Sequence, residues 1–274
     1  MSHSPLPSHS LDASRKTPIL WLVGASEGIG LALTEIALRH GWRVIASARQ
    51  AEQNPTLQAW QKTFQPRLTL LNLDVTDSAQ CRHAAERARN TYGKIDIWFY
   101  NVASYRPMNL AESNVADYEQ MNQTNYLGAV RLLHALLPNS APHAAQRPVK
   151  WVWNISLASY FGLPYGGAYS APKAALLNLA EALAPELATQ GIHLQVINHG
   201  FVKTRLTAQN DFAMPGLMTP QAAAQRIFDA MQSSDAFEVR FPLALGLWLR
   251  LLRCLPKNWS LKLSAKLLKK GEKP

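Results

Sequence analysis

Residues 19–30 read Ile-Leu-Trp-Leu-Val-Gly-Ala-Ser-Glu-Gly-Ile-Gly, an apolar run that passes into a glycine-rich loop and then into an apolar helix. Glycine permits a tight turn and a close backbone approach to a ligand, and a helix N-terminus offers free N–H groups with a partial positive charge. A pyrophosphate group fits these properties. The spacing of Gly24, Gly28 and Gly30 differs from the usual dinucleotide pattern G-x-G-x-x-G, so on these residues alone an ordinary strand-to-helix turn is the alternative.

The rest of the chain alternates short apolar runs with longer helical patterns, and most predicted strands are apolar on both faces. Both faces of their sheet must therefore be covered. The pattern predicts an α/β fold: a single doubly wound Rossmann-type domain over residues 17–241, with a parallel sheet of about seven strands and helices on both faces. The predicted strands are 19–23, 43–48, 68–73, 95–100, 149–155, 192–198 and 238–241. The predicted helices include 30–40, 79–92, 117–137, 170–190 and 219–232.

Composition excludes several classes of protein. Of the 274 residues, 47% are hydrophobic and 17% are charged, which excludes a disordered, collagen-like or disulfide-scaffold chain. The apolar stretches stop short of the roughly 18 residues that a membrane span needs. Two cysteines give no disulfide framework, which points to a reducing, cytoplasmic location or carries no redox information at all. The histidines lack metal-ligand spacing. Residues 1–16, rich in Ser, Pro and His, are interpreted as a disordered leader.

The net charge of +10 is concentrated at the C-terminal end. Residues 239–274 carry nine Lys or Arg and one acid, and residues 1–238 carry a charge of only +2. This distribution argues against nucleic acid as a partner and for a separate basic extension over residues 242–274.

The extension has an amphipathic pattern around Ser264, the one polar residue within its apolar arc. Interfacial helices combine an apolar face with a basic face, so the pattern predicts peripheral attachment to an anionic membrane. A tail that folds over the substrate cleft or a subunit interface is the alternative. The basic face holds Lys262, Lys266, Lys269, Lys270 and Lys273, and the apolar face holds Leu261, Ala265 and Leu268.

The end of the second predicted strand bears on the choice between NAD(H) and NADP(H). A NAD site normally has an Asp or Glu there, which binds the ribose 2′-hydroxyl. Here Arg49 follows Ala48, and no acid occurs from residue 37 to residue 51. A guanidinium attracts a 2′-phosphate, so the sequence favours NADP(H). The alternative is that Arg49 is a solvated loop charge.

Tyr169 and Lys173 lie four residues apart near the start of a predicted helix and share one of its faces. A phenol with a pKa near ~10 is a poor proton donor at neutral pH, and a neighbouring ammonium group lowers that pKa. Ser156 stands at the end of an apolar strand, where its hydroxyl can hold a carbonyl oxygen. Taken singly, each of the three is more often an ordinary surface or capping residue.

Together these features resemble the classical short-chain dehydrogenase/reductase family over residues 17–241. Seven matches occur in chain order, each at a strand end or a helix start. The resemblance implies an oxidoreductase that uses a nicotinamide cofactor and acts on an alcohol or a carbonyl group. The matches are Gly24/Gly28/Gly30, Asp74-Val75, Asn101, Asn125, Ser156, Tyr169 with Lys173, and Gly200-Phe201-Val202-x-Thr204.

The resemblance also implies a role for each residue. Tyr169 is expected to protonate the carbonyl oxygen, Ser156 to polarise it, and Lys173 to lower the pKa of Tyr169 and hold the nicotinamide ribose. Asn125 is expected to anchor a water molecule that links Lys173 to solvent. The other implied cofactor contacts are Gly24, Ser26, Gly28, Ile29 and Gly30 at the pyrophosphate, Asp74 and Val75 at the adenine, Asn101 and Ala103 along the middle, and Val202 and Thr204 at the carboxamide.

Three positions depart from the family pattern: Val23 replaces Thr, the segment 100–103 replaces Asn-Asn-Ala-Gly, and His199 replaces Pro. The bulk of Tyr100 predicts a change in the fine cofactor geometry while the reaction class stays intact. His199 is interpreted as a residue that caps a strand and has no chemical role.

The leading hypothesis is a NADP(H)-dependent carbonyl reductase or alcohol dehydrogenase that acts on an apolar ketone or a 3-oxoacyl group. A non-catalytic cofactor-sensing protein on the same scaffold is the alternative, although the intact Ser156, Tyr169 and Lys173 count against it. The resemblance further implies a homo-oligomer through the helices 117–137 and 170–190. The expected substrate wall is mostly apolar and consists of Leu157, Tyr160, Pro164, Phe201 and the segment 206–218.

Overall fold

The computed structural model describes residues 17–137 and 149–268, so the expected leader at 1–16 lies outside the described residues. The strands are β1 (Ile19–Val23), β2 (Arg43–Ala48), β3 (Leu68–Asn72), β4 (Ile97–Tyr100), β5 (Val149–Asn154), β6 (Ile192–His199) and β7 (Glu238–Phe241). The helices are α1 (Gly28–Arg39), α2 (Pro55–Thr63), α3 (Ser78–Tyr92), α4 (Val115–Asn122), α5 (Gly128–Leu136), α6 (Gly167–Thr189), α7 (Pro220–Ser233), α8 (Leu243–Cys254) and α9 (Lys257–Ala265).

All seven of these strands form one parallel sheet in the order β3-β2-β1-β4-β5-β6-β7. Helices cover both faces, which explains why β1 is buried at every position. One core contains side chains of α1, α2 and α7, and the other contains side chains of α3, α5, α6 and α8. The prediction of a doubly wound Rossmann-type domain is therefore confirmed.

The strand order reverses between β1 and β4, because the chain first builds the sheet outward through β2 and β3 and then returns to the other side of β1. In open parallel sheets, ligands bind at the carboxyl ends of the strands that flank such a reversal. The glycine loop that follows β1 lies at this position.

A cluster of aromatic side chains fills the core beneath β4 and β5. The Trp98 ring contacts Trp151 and Trp153 edge-on, with centroid separations of 5.2 and 6.1 Å, and all three are buried. Tyr100 continues the cluster, and its hydroxyl donates a hydrogen bond of 2.5 Å to the carbonyl of Thr124. Tyr100 thus packs into the core rather than the ligand crevice, so the predicted effect of its bulk on the cofactor geometry has no basis in this structure.

Two helix predictions are corrected. The stretch 117–137, predicted as one helix, is divided into α4 and α5 by a π-helical turn at Gln123–Leu127. Such a turn adds a residue and redirects side chains, a change that the apolar pattern does not report. Helix α2 was not predicted, because only Leu57 of its nine residues is buried and its apolar periodicity is therefore weak.

The C-terminal helices differ from the expected separate extension. In α8, Leu249 and Leu252 are buried in the same core as α3, α5 and α6. In α9, the small Ser260 and Ser264 are the buried residues, and the large apolar side chains face outward. Lys269, Lys270 and Lys273 lie outside the described residues. Among the helices of the described residues, none has the length and apolar character required to cross a membrane.

Candidate active site

The glycine loop is shaped by close backbone contacts. Gly24 has a φ of +96°, which L side chains rarely adopt. A Cβ atom on Gly30 would lie 1.9 Å from the carbonyl oxygen of Gly24, so a side chain there would displace the loop. The first turn of α1 has no acidic residue, and Glu27 at its N-cap makes no capping hydrogen bond with its side chain. The loop can therefore present free N–H groups to an anion, as a pyrophosphate requires.

A chain of amide hydrogen bonds links this loop to the catalytic residues. Asn101 donates to the Gly24 carbonyl at 2.9 Å and accepts from the Asn154 amide at 2.7 Å. The Asn154 carbonyl accepts from the Lys173 ammonium at 3.1 Å. Asn154 was not predicted as a site residue. Its position at the end of β5, beside Asn101, is apparent only from the order of the strands.

Tyr169, Ser156 and Lys173 are brought together at the carboxyl end of β5 and the start of α6. Burial raises the pKa of Tyr169 to about 12, and a hydrogen bond with the Ser156 hydroxyl acts in the opposite direction. The Ser156 oxygen also accepts the Ala158 N–H at 3.1 Å. This second contact leaves the Ser156 proton available for the Tyr169 oxygen or for a carbonyl oxygen.

Lys173 is 1% exposed, and its ammonium lies 5.7 Å from the centroid of the Tyr169 ring. Burial lowers the pKa of Lys173 to about 7, so near neutral pH much of this side chain is uncharged. An uncharged amine cannot stabilise a phenolate by Coulomb attraction. In this structure, Ser156 rather than Lys173 lowers the pKa of Tyr169, which differs from the role implied by the resemblance.

Asn125 lies in the π-helical turn and is fully buried. Its amide oxygen accepts the Ser104 N–H at 2.7 Å, and its amide nitrogen donates to the Ser104 carbonyl at 2.8 Å. Asn125 therefore fixes the loop that carries Asn101 and Ala103. The π-helical turn aims this side chain at the loop, and such turns are frequent at functional sites.

The expected adenosine end is formed by the loops after β2 and β3. Ala48 pairs with Asn72, so Arg49 and Asp74 follow neighbouring strands. Arg49 is exposed, and the Asp74 carboxylate accepts from the N–H and hydroxyl of Thr76. Sequence reasoning missed one acidic residue at this end of the site. Glu52 follows Arg49 closely, and its carboxylate accepts from the Asn72 amide at 2.9 Å.

The segment after β6 lies over the glycine loop. A Cβ atom on Gly28 would lie 3.0 Å from the Thr204 methyl group, and Val202 is buried beside it. An ion pair of 2.8 Å between Arg205 and Glu27 joins the two segments, and sequence reasoning missed both residues. Ile29 contributes its side chain to the core, which leaves only its backbone to face a ligand.

Two residues near Tyr169 complete the site. The Tyr105 ring packs edge-on against Tyr169 with centroids 4.9 Å apart, and its hydroxyl donates to Asn210 at 2.7 Å. Tyr105 was not predicted. Burial lowers the pKa of His199 to about 4, and its Nδ1 donates to the Gly200 carbonyl at 2.7 Å. At neutral pH the His199 ring is therefore uncharged.

These residues fit a dinucleotide with a nicotinamide end. The glycine loop is connected through Asn101 and Asn154 to Lys173, which lies beside Tyr169. Among residues 17–137 and 149–268, no cluster of three His, Cys, Asp or Glu side chains is suited to hold a metal ion.

Comparisons with known proteins agree with this geometry. The family described as short chain dehydrogenase matches residues 19–214. An uncharacterized oxidoreductase of Myxococcus xanthus is 32% identical over 86% of this chain and 91% of its own length. An oxidoreductase of Botryotinia fuckeliana is 30% identical over 82% and 81%. The 3-oxoacyl-(acyl-carrier-protein) reductase of Escherichia coli is 29% identical over 80% and 87%.

Solved structures share the fold at lower identity. A short-chain dehydrogenase from Streptomyces avermitilis superposes with a TM-score of 0.77 at 24% identity, over 92% of this chain and 98% of that one. A Burkholderia cenocepacia enzyme in complex with NADP gives 0.76 at 22%, over 93% and 99%. A Burkholderia phymatum enzyme in complex with NAD gives 0.75 at 19%, over 90% and 95%. The chain belongs to the short-chain dehydrogenase family, and it is an oxidoreductase of the class that acts on CH–OH and C=O groups.

Lys173→Met tests the buried ammonium through folding stability. Between pH 7 and about 10.4, the unfolded chain binds a proton on this lysine that the folded chain does not bind, so the contribution of Lys173 to stability rises with pH. Relative to the parent, the methionine variant should gain stability at pH 6, and this advantage should shrink by pH 10. Each unit of pKa difference corresponds to about 1.4 kcal/mol, so the change should be on the order of a few kcal/mol.

The measurement is urea unfolding of the cofactor-free protein at pH 6, 8 and 10. Lys62→Met, at an exposed position on α2, is the control and should track the parent at every pH. A Lys173→Met difference that does not change with pH would contradict the assigned pKa.

Proposed function

We propose that this protein is a NADP(H)-dependent reductase or dehydrogenase that interconverts an apolar ketone or 3-oxoacyl group and the corresponding secondary alcohol. The observation that carries the proposal is that Tyr169 has the Ser156 hydroxyl as a hydrogen-bond partner, while the amine of the buried Lys173 lies 5.7 Å from its ring centroid. A protein that only sensed the cofactor would need no such proton donor. The nicotinamide, when bound, supplies or accepts the hydride.

The residues of the site carry out the remaining steps, which are substrate binding and proton transfer. Ser156 and Tyr169 hold the carbonyl oxygen of the substrate through their hydroxyl groups, and Tyr169 transfers its proton to that oxygen as the carbon is reduced. Lys173 is held by the Asn154 carbonyl and can return a proton to Tyr169 after the transfer. Tyr105 packs edge-on against the Tyr169 ring and supports its position.

The preference for NADP(H) rests on Arg49. Its side chain follows β2 and is exposed, which suits contact with a 2′-phosphate. Glu52 is the acid that would compete, but its carboxylate accepts from Asn72. Of the two cofactor complexes described above, one contains NADP and the other contains NAD, so neighbours of both kinds share this fold.

The apolar substrate class rests on the apolar side chains of the segment that follows β6. Phe201 and Phe212 pack edge-on with centroids 6.0 Å apart, and Met214 lies half-buried nearby in the chain. Leu157 and Tyr160, expected in this wall, are instead buried beneath α8. The Escherichia coli relative is named for a 3-oxoacyl substrate, which supports a similar chemical class here.

We also propose that the exposed face of α8 and α9 attaches the protein to an anionic membrane. Thirteen large apolar side chains are exposed among the described residues, and eight of them lie within residues 243–267. That segment carries five Lys or Arg and no acid. The charge therefore complements anionic lipid, and tryptophans are typical interfacial anchors. The eight side chains are Leu243, Leu247, Trp248, Leu251, Trp259, Leu261, Leu263 and Leu267.

Helix α8 connects this surface to the active site. Gly246 packs within van der Waals reach of Leu157, the residue that follows Ser156. Attachment through α8 would therefore bring the crevice close to the lipid that contains an apolar substrate.

A homo-oligomer formed through the helices at 117–137 and 170–190 is proposed as well, since α4 exposes Val115 and Tyr118.

Tyr169→Phe removes the proton donor with almost no change in volume. Turnover should fall by about 10²–10⁴, and NADPH affinity should change little. The assay is NADPH oxidation over ketosteroids, 3-oxoacyl thioesters, long-chain ketones and quinones, with cofactor affinity from fluorescence titration. A Phe variant that turned over a good substrate at the parent rate would end the catalytic assignment.

Arg49→Asp should move the preference from NADPH toward NADH, because it exchanges a cation for the carboxylate that binds a free ribose hydroxyl. A charged hydrogen bond contributes about 1.5–3 kcal/mol, so the affinity ratio should change by roughly tenfold or more. Arg43→Asp makes the same change of charge at the opposite end of β2 and should leave the ratio unaltered. If both variants changed the affinity ratio equally, Arg49 would not be a residue of the cofactor site.

The membrane proposal is tested by sedimentation with vesicles of phosphatidylglycerol and phosphatidylcholine, and with phosphatidylcholine alone. The full chain should bind only the anionic vesicles, and high salt should release it. Lys262→Gln with Lys266→Gln should weaken binding by roughly thirtyfold, at about 1 kcal/mol per basic residue. Point substitutions are used because deletion of α8 would also remove Leu249 and Leu252 from the core.

Trp259→Asn, on the exposed face, should likewise weaken vesicle binding. Leu110→Asn, at a position that is 87% exposed outside the tail, is the control and should bind as the parent does. Recovery of the parent in the supernatant with both kinds of vesicle would overturn membrane attachment.

A further inference from the structure

A buried carboxylate lies behind the catalytic loop, on the side away from the glycine loop. The Glu238 side chain on β7 is 14% exposed and has donors from three other elements. It accepts from the Tyr160 hydroxyl, from the Asn198 amide at 2.6 Å and from Arg250 of α8 at 2.5 Å. Arg240 lies 3.6 Å away. Two arginines thus face one largely buried carboxylate.

Asn198 connects this carboxylate to Ser156. The Asn198 side chain is fully buried, and its oxygen accepts the Ser156 N–H at 3.2 Å. The same oxygen lies 3.4 Å from the Ser159 hydroxyl, which donates to the Ser156 carbonyl at 2.8 Å. The backbone N–H and the backbone carbonyl of Ser156 are therefore both hydrogen-bonded within this network.

The charge of Glu238 decides which way the Asn198 amide faces. An ionised carboxylate only accepts hydrogen bonds, so the NH₂ group of Asn198 must point toward Glu238. The amide oxygen then points to the Ser156 N–H. If the amide turned over, its oxygen would meet the carboxylate and its NH₂ group would meet the N–H, and both contacts would be repulsive.

We infer that Asn198 and Glu238 are positioning residues for Ser156, and that Arg250 makes α8 part of this support. The inference rests on the proposed function, since Ser156 matters only if the protein reduces a carbonyl group. Displacement of Ser156 would weaken its hydrogen bond with Tyr169. Because that bond lowers the pKa of Tyr169, its loss raises this pKa, and alcohol oxidation then requires a higher pH.

Asn198→Leu and Gln195→Met form the matched pair that tests the inference. Both replace a fully buried amide on β6, but Gln195 donates to the carbonyls of Ser234 and Ala236 and has no bond to Ser156. The readouts are kcat for reduction, the NADPH dissociation constant and the pH dependence of alcohol oxidation. Thermal unfolding is recorded for both variants, so that a loss of stability is measured separately.

Asn198→Leu should lower kcat by roughly 10- to 100-fold, as expected when a reacting group is misplaced by about 1 Å. Its NADPH affinity should stay near that of the parent, and its oxidation profile should shift to higher pH. Gln195→Met should lose stability while its kcat and pH profile stay at the parent values. Equal behaviour of the two variants would overturn the positioning role.

If Asn198→Leu does not fold, the milder variants Glu238→Gln and Arg250→Met still test the inference. Glu238→Gln retains the shape and removes the charge that orients Asn198, so it should shift the pH profile in the same direction. Arg250→Met should lower kcat, and Arg253→Met, an exposed arginine on the same helix, should not. Parent-like kcat and pH profiles in both Glu238→Gln and Arg250→Met would overturn the inference. A parent protein inactive on every carbonyl substrate would instead contradict the proposed function.

Discussion

The Asn101 amide donates to the carbonyl of Gly24 and accepts from Asn154, and the organisation of the crevice depends on these two hydrogen bonds. They cross the point at which the strand order reverses and tie the ends of β1, β4 and β5 to one another. Through the Asn154 carbonyl they also set the position of the Lys173 ammonium. The glycine loop and Lys173 therefore belong to one connected hydrogen-bond network.

Burial acts in opposite directions on the two titrating groups of this site. It raises the pKa of Tyr169 to about 12 and lowers that of Lys173 to about 7, because a low-dielectric setting disfavours the charged form of each. Near pH 7, Tyr169 is therefore almost entirely neutral, and a large part of Lys173 is neutral. Under the proposed function, the neutral phenol retains the proton that carbonyl reduction consumes, and Ser156 is the neighbour that favours its release.

The C-terminal helix α8 serves two surfaces at once. Leu249 and Leu252 of this helix are buried in the core, the half-exposed Arg250 pairs with Glu238, and Leu243, Leu247 and Leu251 are exposed. These three leucines recur every four residues, so they form a stripe on one side of the helix. Gly246 of the same helix packs against Leu157, the residue that follows Ser156. The tail is therefore an integral part of the site's support, in addition to any partner that it binds.

The sequence alone determined the class of fold, the glycine loop and the pairing of Tyr169 with Lys173, because each depends on local periodicity or on steric freedom over a few residues. The strands at 19–23, 43–48 and 238–241 were predicted with the observed bounds for the same reason. Only the tertiary structure decided the roles of Asn154, Asn198, Glu52 and Tyr105, since their partners are distant in the chain. It also moved Tyr160 from the expected substrate wall to the Glu238 network and turned the leucines of α9 outward. The type of a residue indicates whether its side chain tends to be buried or exposed. Which neighbour the side chain contacts depends on the packing of strands and helices that are far apart in sequence.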